Sequence, residues 1–591
     1  MGQKLMFQVI KLKTYFEINK RLRKIFAHLT PAALFSCVEP AIFALAPICN
    51  QRVHQRFSAP IANRRERNFP NFQLSIFNFQ FFPLPLCDKI ETMIKSDALR
   101  QTKMTGYRWV ICAMLFFATT VNYLDRQVLS LLVPDQVEYV SGNPVVKLQG
   151  IQNEFHWSNT DYGEITAFFS LFYALCMLFA GRIVDWLGTR KGYLWSIGIW
   201  SVGACLHAFC GIATAGVVKG NWLVGFAASK EILLGVPDVA LIAGTSMILF
   251  MVARAILALG EAGNFPAAIK ATAEYFPKKD RAFSTSIFNS GATIGAMLAP
   301  MSIIPLILFV RSWEWVFMII GALGFIWMGF WLFIYKKPHE NPRVNKAELD
   351  YILSDSEESA KEDVVTKEKV SFIECFKHRQ TWSFAFGKFI TDGVWWFMLF
   401  WLPKYLSETY KLSTDLDRIL PLTVLYAIVM ISLYGGKLPT IIINKTGLDP
   451  YAARMRAMLI FAFFPLLILL AQPLGYYFHT YWIPVVLLGI GAAAHQSWSA
   501  NIFSTVGDMF PKKAIATITG IGGMAGGIGS AIINFGSGSL QDFAQQTGMR
   551  FMGFEGKPAA YYMIFCFCAV AYLIGWVVMK RLVPKYKFVT M

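Results

Sequence analysis

The sequence predicts an all-α membrane protein, with twelve transmembrane helices in two pseudo-symmetric six-helix bundles. The first observation is composition. Of 591 residues, 55% are hydrophobic and 16% charged, and the mean hydropathy is +0.45, too apolar for ordinary soluble domains. The second is length: twelve stretches reach the roughly 20 mostly apolar residues that a spanning helix needs. The third is repetition. Residues 274–279 read Glu-Tyr-Phe-Pro-Lys-Lys and residues 508–513 read Asp-Met-Phe-Pro-Lys-Lys, 234 positions apart. Each copy follows a long apolar pattern and precedes a glycine-rich one. At that offset Gly291 and Gly295 fall at the register of Ala525 and Gly529. Two homologous halves are implied, an architecture on which many secondary transporters alternate access.

Taken in order, residues 1–103 stand apart. Their first hundred positions hold 15 Lys/Arg against 6 Asp/Glu, mixed with Phe and Pro. The stretch 31–49 is broken by Pro31, Glu39, Pro40 and Pro47, so no secretory signal is expected. We expect a basic, poorly ordered extension, with a basic arm on an anionic leaflet as the functional alternative. The twelve stretches then fall at 108–133, 161–183, 192–213, 240–266, 282–308, 314–335, 381–402, 418–438, 455–474, 481–505, 514–535 and 560–582. They define an N-terminal bundle over 104–336, a charged cytoplasmic linker over 337–380 and a C-terminal bundle over 381–591. The linker's acidic section runs through Asp355, Glu357, Glu358, Glu362 and Asp363.

The formal net charge of +18 does not indicate nucleic acid, because basic residues cluster at every second inter-helix boundary. Arg190–Lys191, Lys278–Lys279, Lys336–Lys337, Lys445 with Arg454, and Lys512–Lys513 follow the even-numbered stretches. By the positive-inside rule both termini are cytoplasmic. The ten cysteines form no ligand spacing and read as small packing residues. No metal, cofactor or nucleophile–base set is visible, so enzyme chemistry is not expected.

Ionisable side chains at bilayer depth are costly unless paired or wetted, which makes each a functional candidate. Asp125 and Arg126 lie in the first stretch, Arg254 and Glu261 in the fourth. The latter are seven apart, about two turns and near one face. Adjacent residues do not face each other on a helix, so Asp125 and Arg126 suit partners elsewhere. A crossed arrangement is expected, Asp125 near Arg254 and Arg126 near Glu261 or an anionic ligand. Buried pairs that only fix helix packing are the bland alternative. Tyr123 and Tyr173 offer hydroxyls. Lys388 and Asp392 are four apart, an ideal local ion pair, and either Trp395 or Trp396 could stack on a sugar face. Near the repeat-equivalent depth, the tenth stretch carries His495, Gln496, Ser497, Trp498 and Asn501, a hydrogen-bonding patch. The glycine run from Gly520 to Gly529 reads as close helix packing, since no strand precedes it.

Two motifs carry a resemblance. Gly181-Arg-Ile-Val-Asp185-Trp-Leu-Gly188-Thr-Arg190-Lys191-Gly192 resembles the loop between helices two and three of the major facilitator superfamily. There the glycines permit a tight turn, and Gly181, Asp185, Gly188 and Arg190 form a conformational latch. The counterpart Gly435-Gly436-Lys437 to Asn444-Lys445-Thr446-Gly447 lacks an equivalent Asp. Arg254-Ala-Ile-Leu-Ala-Leu-Gly-Glu261-Ala-Gly-Asn264-Phe-Pro266, together with Asn122-Tyr123-Leu-Asp125-Arg126 and Trp395-Trp396 through Pro403-Lys404, is similar to the anion:cation symporters of that superfamily. The likeness is greatest to bacterial hexuronate transporters.

This resemblance, covering about 104–591, implies proton-coupled symport of a sugar-acid anion across the bacterial inner membrane by a monomer. The positions matched to the family are Arg126, Asp125, Arg254 and Glu261; with the polar and aromatic candidates read from the residues themselves, the expected substrate site comprises Arg126, Tyr123, Tyr173, Lys388, Trp395, Gln496, Ser497, Trp498 and Asn501. Arg126 would grip the carboxylate with its planar donor fork, and Asp125, Arg254 and Glu261 would couple the proton. An organophosphate/phosphate exchanger, a sodium-coupled symporter and a non-transporting sensor are the alternatives. Two outer loops, around 136–152 and 214–238, exceed the compact family pattern.

Overall fold

The computed structural model describes residues 104–140, 143–354, 372–412 and 415–589. The extension 1–103 and the acidic section of the linker lie outside the described residues.

The chain opens with α1 (Tyr107–Leu132), a hairpin of β1 (Gln136–Val140) and β2 (Asn143–Leu148), and the single turn α2 (Ile151–Glu154). The helix α3 (Asn159–Ala208) contains the second and third spans, and α4 (Cys210–Lys219) prolongs the third after a 54° bend. A short α5 (Phe226–Leu234) leads to the fourth span, made of α6 (Val239–Glu261) and α7 (Asn264–Tyr275). The fifth and sixth are α8 (Lys278–Val310) and α9 (Trp313–Ile334). The linker contributes α10 (Lys346–Ile352) and α11 (Phe372–Cys375). The seventh span is α12 (Arg379–Tyr410). The eighth joins α13 (Asp415–Val429) to α14 (Leu438–Thr446) through a 3-10 segment, and the ninth joins α15 (Pro450–Phe463) to α16 (Ile468–Tyr477) likewise. Then come α17 (Trp482–Met509), α18 (Lys512–Thr547), a small hairpin of β3 (Arg550–Phe551) and β4 (Phe554–Glu555), and α19 (Lys557–Leu582). The two long loops around 136–152 and 214–238 thus hold a β-hairpin and the short helix α5.

By length and hydropathy alone, eight helices among the described residues qualify as membrane spans, nine if the bent α3–α4 pair is one span. The remaining three spans of the bundle are α1, α12 and α17, with 26, 32 and 28 residues. They are long enough but too polar, because they carry Asp125–Arg126, Lys388–Asp392 and the His495–Asn501 patch. The polar load sits where the interior faces are.

Helix ends follow from local chemistry. Ser158 caps α3 in a reciprocal box with Asp161, satisfying otherwise orphaned N–H groups. The N-terminus of α1 is capped by the linker: the Glu348 carboxylate on α10 accepts from the backbone N–H of Tyr107 at 3.0 Å and of Arg108 at 3.1 Å. A carboxylate there also meets the positive end of the helix dipole.

The repeat is physical. Gly295 on α8 leaves room for the backbone of α1, as an added Cβ would lie 2.4 Å from Thr120 O; Gly529 on α18 leaves room for α12, 1.9 Å from Phe389 O. Each half therefore presses its fifth helix against its first through the same glycine register. The duplicated motif also repeats its bonding. Glu274 accepts from Thr189 Oγ1 at 2.5 Å and from the Tyr335 hydroxyl, tying the loop between spans two and three. Asp508 accepts from Arg454 Nε at 2.6 Å, tying the loop between spans eight and nine.

In the loop between spans two and three, Gly188 leaves helical geometry at φ 76° and ψ 158°, a positive-φ conformation open to glycine that kinks the chain from one span into the next. No Cβ neighbour lies within 4 Å of Gly181, and Arg190 Nη2 donates to Leu332 O at 2.7 Å. The side chain of Asp185 lies outside the described set.

Candidate functional site

Arg126, five turns into α1, is almost wholly buried at 2% exposure. Its Nε and Nη2 donate to Glu261 Oε2 at 3.0 and 2.5 Å. The guanidinium is then enclosed by aromatic rings: Trp396 at 4.8 Å, Tyr123 and Tyr173 at 4.9 Å, and Phe169 at 5.7 Å from ring centres. Such cation–π contacts are strongest where water is excluded. Helical periodicity explains the cage. Tyr123 precedes Arg126 by three residues, and Phe169 and Tyr173 are four apart on α3, so each pair shares a face. Trp396 arrives from the other half.

Glu261 ends α6, and the helix breaks there before resuming at Asn264. The break accompanies close packing on α3: a Cβ at Gly260 would lie 2.2 Å from Trp200 N, and Ser196 Oγ donates to Gly260 O at 2.5 Å. Glu261 Oε1 and Asp125 Oδ2 are buried without a hydrogen-bond partner among the described residues, as are Nε and Nη1 of Arg254. The expected crossed pairing is therefore met on one side, Arg126 with Glu261. Asp125 and Arg254 interact electrostatically but make no ion pair. Phe169 packs against the Arg254 guanidinium at 5.1 Å, and so has one arginine near its ring from each of α1 and α6.

The second half contributes a stripe along α12. Lys388 Nζ pairs with Asp392 Oδ2 at 2.7 Å. One turn further Trp396 meets Arg126, and Phe400 lies another turn on, where its carbonyl accepts from Tyr162 at 2.8 Å. Trp395, the indole expected to face a sugar, instead stacks on His495 at 5.4 Å with the rings 5° from parallel. It sits about 100° around the helix from Trp396, which turns it into its own bundle. On α17, His495 Nδ1 bonds the Tyr572 hydroxyl at 2.8 Å and Trp498 is fully buried against the same tyrosine. Ser497 donates to Ala493 O at 3.0 Å and packs on Gly435, while Asn501 donates to Ser497 O at 2.8 Å. Gln496 is half-buried.

The structure thus gathers Tyr123, Asp125, Arg126, Tyr173, Arg254 and Glu261 into one cluster. Of the α17 patch, Ser497, Trp498 and Asn501 spend their contacts within their own bundle. Sequence reasoning missed Phe169 and Phe503, whose ring centre lies 4.2 Å from Lys388 Nζ, and ranked Trp395 over Trp396. The i, i+4 spacing of Phe169 with Tyr173 and of Trp396 with Asp392 carried the signal.

Beyond the cluster, at the end of the bundle opposite Tyr107 and Leu582 (the distal end), the halves are bonded together. Asp542 on α18 accepts from Asn159 N at 3.2 Å, Asn159 Nδ2 at 2.6 Å, Thr160 N at 2.6 Å and Thr160 Oγ1 at 2.7 Å. Lys404 Nζ donates to Gln152 Oε1 at 2.5 Å and to Asn159 Oδ1. Arg418 Nη1 donates to Gln136 Oε1 at 2.7 Å. The Arg126 cluster of the first bundle thus meets Trp396 of the second, and the two bundles are fastened at the distal end.

Residues 115–534 match the Major Facilitator Superfamily. The chain is a member of that superfamily. It is 29% identical over 443 residues to the hexuronate transporter of Escherichia coli (strain K12), covering 74% of this chain and 89% of that protein. It is 28% identical to the galacturonate transporter of Dickeya chrysanthemi, covering 52% and 74% respectively. Among solved structures it is similar in fold to a bacterial homolog of the human lysosomal transporter Spinster, with a TM-score of 0.55, 17% identity and coverage of 82% and 99%. The D-xylose–proton symporter gives a TM-score of 0.54 at 15% identity, covering 81% and 100%. As a superfamily member the chain is a multi-pass membrane protein, and its cluster occupies the interface of the two bundles on which the fold is built.

Proposed function

We propose that this protein carries a sugar-acid monoanion, a hexuronate such as galacturonate or glucuronate, together with a proton across the bacterial inner membrane by alternating access. The observation that supports it best is the caged Arg126, whose partner Glu261 comes from another helix of the same bundle. A substrate carboxylate and Glu261 are chemically equivalent partners for the guanidinium fork. Protonation of Glu261 weakens its hold and frees the fork, so proton and anion occupancy become linked. Asp125, buried close by with one oxygen unpartnered, provides a second acceptor for the proton. Trp396 and Tyr173 offer faces and a hydroxyl to the sugar ring.

In this reading both termini are cytoplasmic, the distal fastening closes the outer side, and transport requires that fastening to break. The named hexuronate and galacturonate relatives support the substrate class. An organophosphate exchanger fits less well, because the second cation it would use, Lys388, is neutralised by Asp392.

The test is uptake of labelled galacturonate into proteoliposomes, with and without a proton uncoupler. Arg126→Ala should abolish binding. Glu261→Gln should retain exchange and lose proton-driven accumulation. Normal accumulation in both variants would sink the assignment, and accumulation that follows a sodium gradient at fixed pH would replace the coupling ion.

A further inference from the structure

The Lys388–Asp392 pair is not consumed by the mechanism above, yet it stands on the substrate side of α12. Residues 388, 392, 396 and 400 succeed one another at four-residue spacing and form one stripe. Its Trp396–Phe400 end faces the first bundle, because Trp396 touches Arg126 and Phe400 O receives the Tyr162 hydroxyl, and Asp392 borders that end from the preceding turn. Asp392 therefore lies one turn, about 6 Å, from the ring that covers Arg126, and it acts electrostatically on Tyr123 of the same cage. Its carboxylate is also held firmly. Helix α18 presses Gly526 against it so closely that an added Cβ would lie 2.2 Å from Asp392 Oδ2. The Lys388 ammonium is fixed on its other side by the Phe503 ring.

The charges of this interior sum simply. Arg126 faces Glu261, Arg254 faces Asp125 across the interior, and Lys388 faces Asp392. Lys388 is thus a second-bundle cation whose charge is spent internally, whereas Lys404, the next four-residue step beyond Phe400, is bound to Gln152 and Asn159 at the distal end. A six-carbon chain with a carboxylate at each end is about 6 Å long between its terminal carbons, close to the one-turn step from the Arg126 cage to the Lys388–Asp392 pair.

We infer that Asp392 sets the charge of the accepted substrate: by occupying Lys388 it confines the site to sugar acids with one carboxylate and rejects those with two. The inference rests on the proposed sugar-acid transport and adds its selectivity element. Removing the Asp392 charge leaves Lys388 available to a second carboxylate, and the repulsion between Asp392 and that carboxylate disappears with it.

The experiment uses the purified full chain in proteoliposomes and measures counterflow of labelled galacturonate, competed by unlabelled galacturonate or by galactarate, the same carbon skeleton with carboxylates at both ends. For Asp392→Asn the ratio of half-inhibiting concentrations, galactarate over galacturonate, should fall by about tenfold or more, one decade being a single step on the affinity scale. Lys388→Gln combined with Asp392→Asn should return it to the wild-type value. If a variant gives no counterflow, protection against thermal unfolding in detergent by each sugar acid reads the same ratio. An unchanged ratio in Asp392→Asn, with wild-type galacturonate counterflow intact, overturns the inference alone, and so does a lowered ratio that persists in the double variant. Absence of galacturonate counterflow in the wild type overturns the transport reading itself, and the inference with it.

Discussion

Asp542 offers the sharpest test of how the two bundles are held. Its carboxylate accepts four hydrogen bonds from the first turn of α3, two from backbone N–H groups and two from side chains, all within 3.2 Å. Donors and acceptor belong to different bundles, so these bonds exist only while the distal end is closed. A hydrogen bond to a charged group contributes about 1.5–3 kcal/mol net, and the carboxylate also meets the positive end of α3. Because the group is partly exposed and the four bonds share one carboxylate, they are not additive, and about 2 kcal/mol is a fair total for its loss. That corresponds to roughly a 30-fold shift of the closed-to-open ratio. The assay is the distance distribution between spin labels at the exposed positions His156 and Gln545, in a cysteine-free background. Asp542→Ala should move population to longer distances, with Asp542→Asn in between because one acceptor oxygen remains. Superimposable distributions for wild type and Asp542→Ala would refute the argument.

Two further outcomes are expected. Gly529→Ala should lower the thermal stability of the purified protein by the about 1–3 kcal/mol typical of overpacking, since its Cβ would meet Phe389 O at 1.9 Å; Gly536→Ala on the same helix, with nothing within 4 Å, is the control. Equal melting temperatures for the two variants would contradict the helix contact. In the distal loop, burial pushes the Glu154 carboxyl above its ordinary range, against the opposing effect of Lys230. A raised folded-state value favours the neutral acid, so its contribution to stability is complete below about pH 4.3 and is lost as pH rises through the folded value. Glu154→Gln should therefore flatten the pH dependence of thermal unfolding above that point, and parallel curves for the two proteins would exclude it.

How much of this was legible beforehand differs from element to element. Spans at 108–133 and 560–582 were read within three residues of α1 and α19 because lipid imposes a length on any apolar helix. The Gly295–Gly529 correspondence was likewise visible, since only glycine lets two backbones approach so closely. The pairing of Arg126 with Glu261 followed from the cost of leaving either alone. The partner of Arg254 did not, because Phe169 from a helix nearly a hundred residues away packs against its guanidinium. Nor did the choice of Trp396 over Trp395: adjacent residues point about 100° apart, and only the docking of α12 onto the first bundle selects one. The same holds for the α17 patch: Ser497 Oγ and Asn501 Nδ2 look available in sequence but donate to the carbonyls of Ala493 and Ser497, while Trp498 Nε1 and Asn501 Oδ1 are buried without a hydrogen-bond partner among the described residues.

The sequence by itself therefore determined the number of spans, their repeat and the inventory of interior charges, because each is a property of one helix and its solvent. The tertiary structure decided which charges meet, which aromatic rings enclose Arg126, and which end of the bundle is fastened. Those depend on rotation and approach between helices far apart in the chain, and no local rule of hydropathy or spacing carries that information.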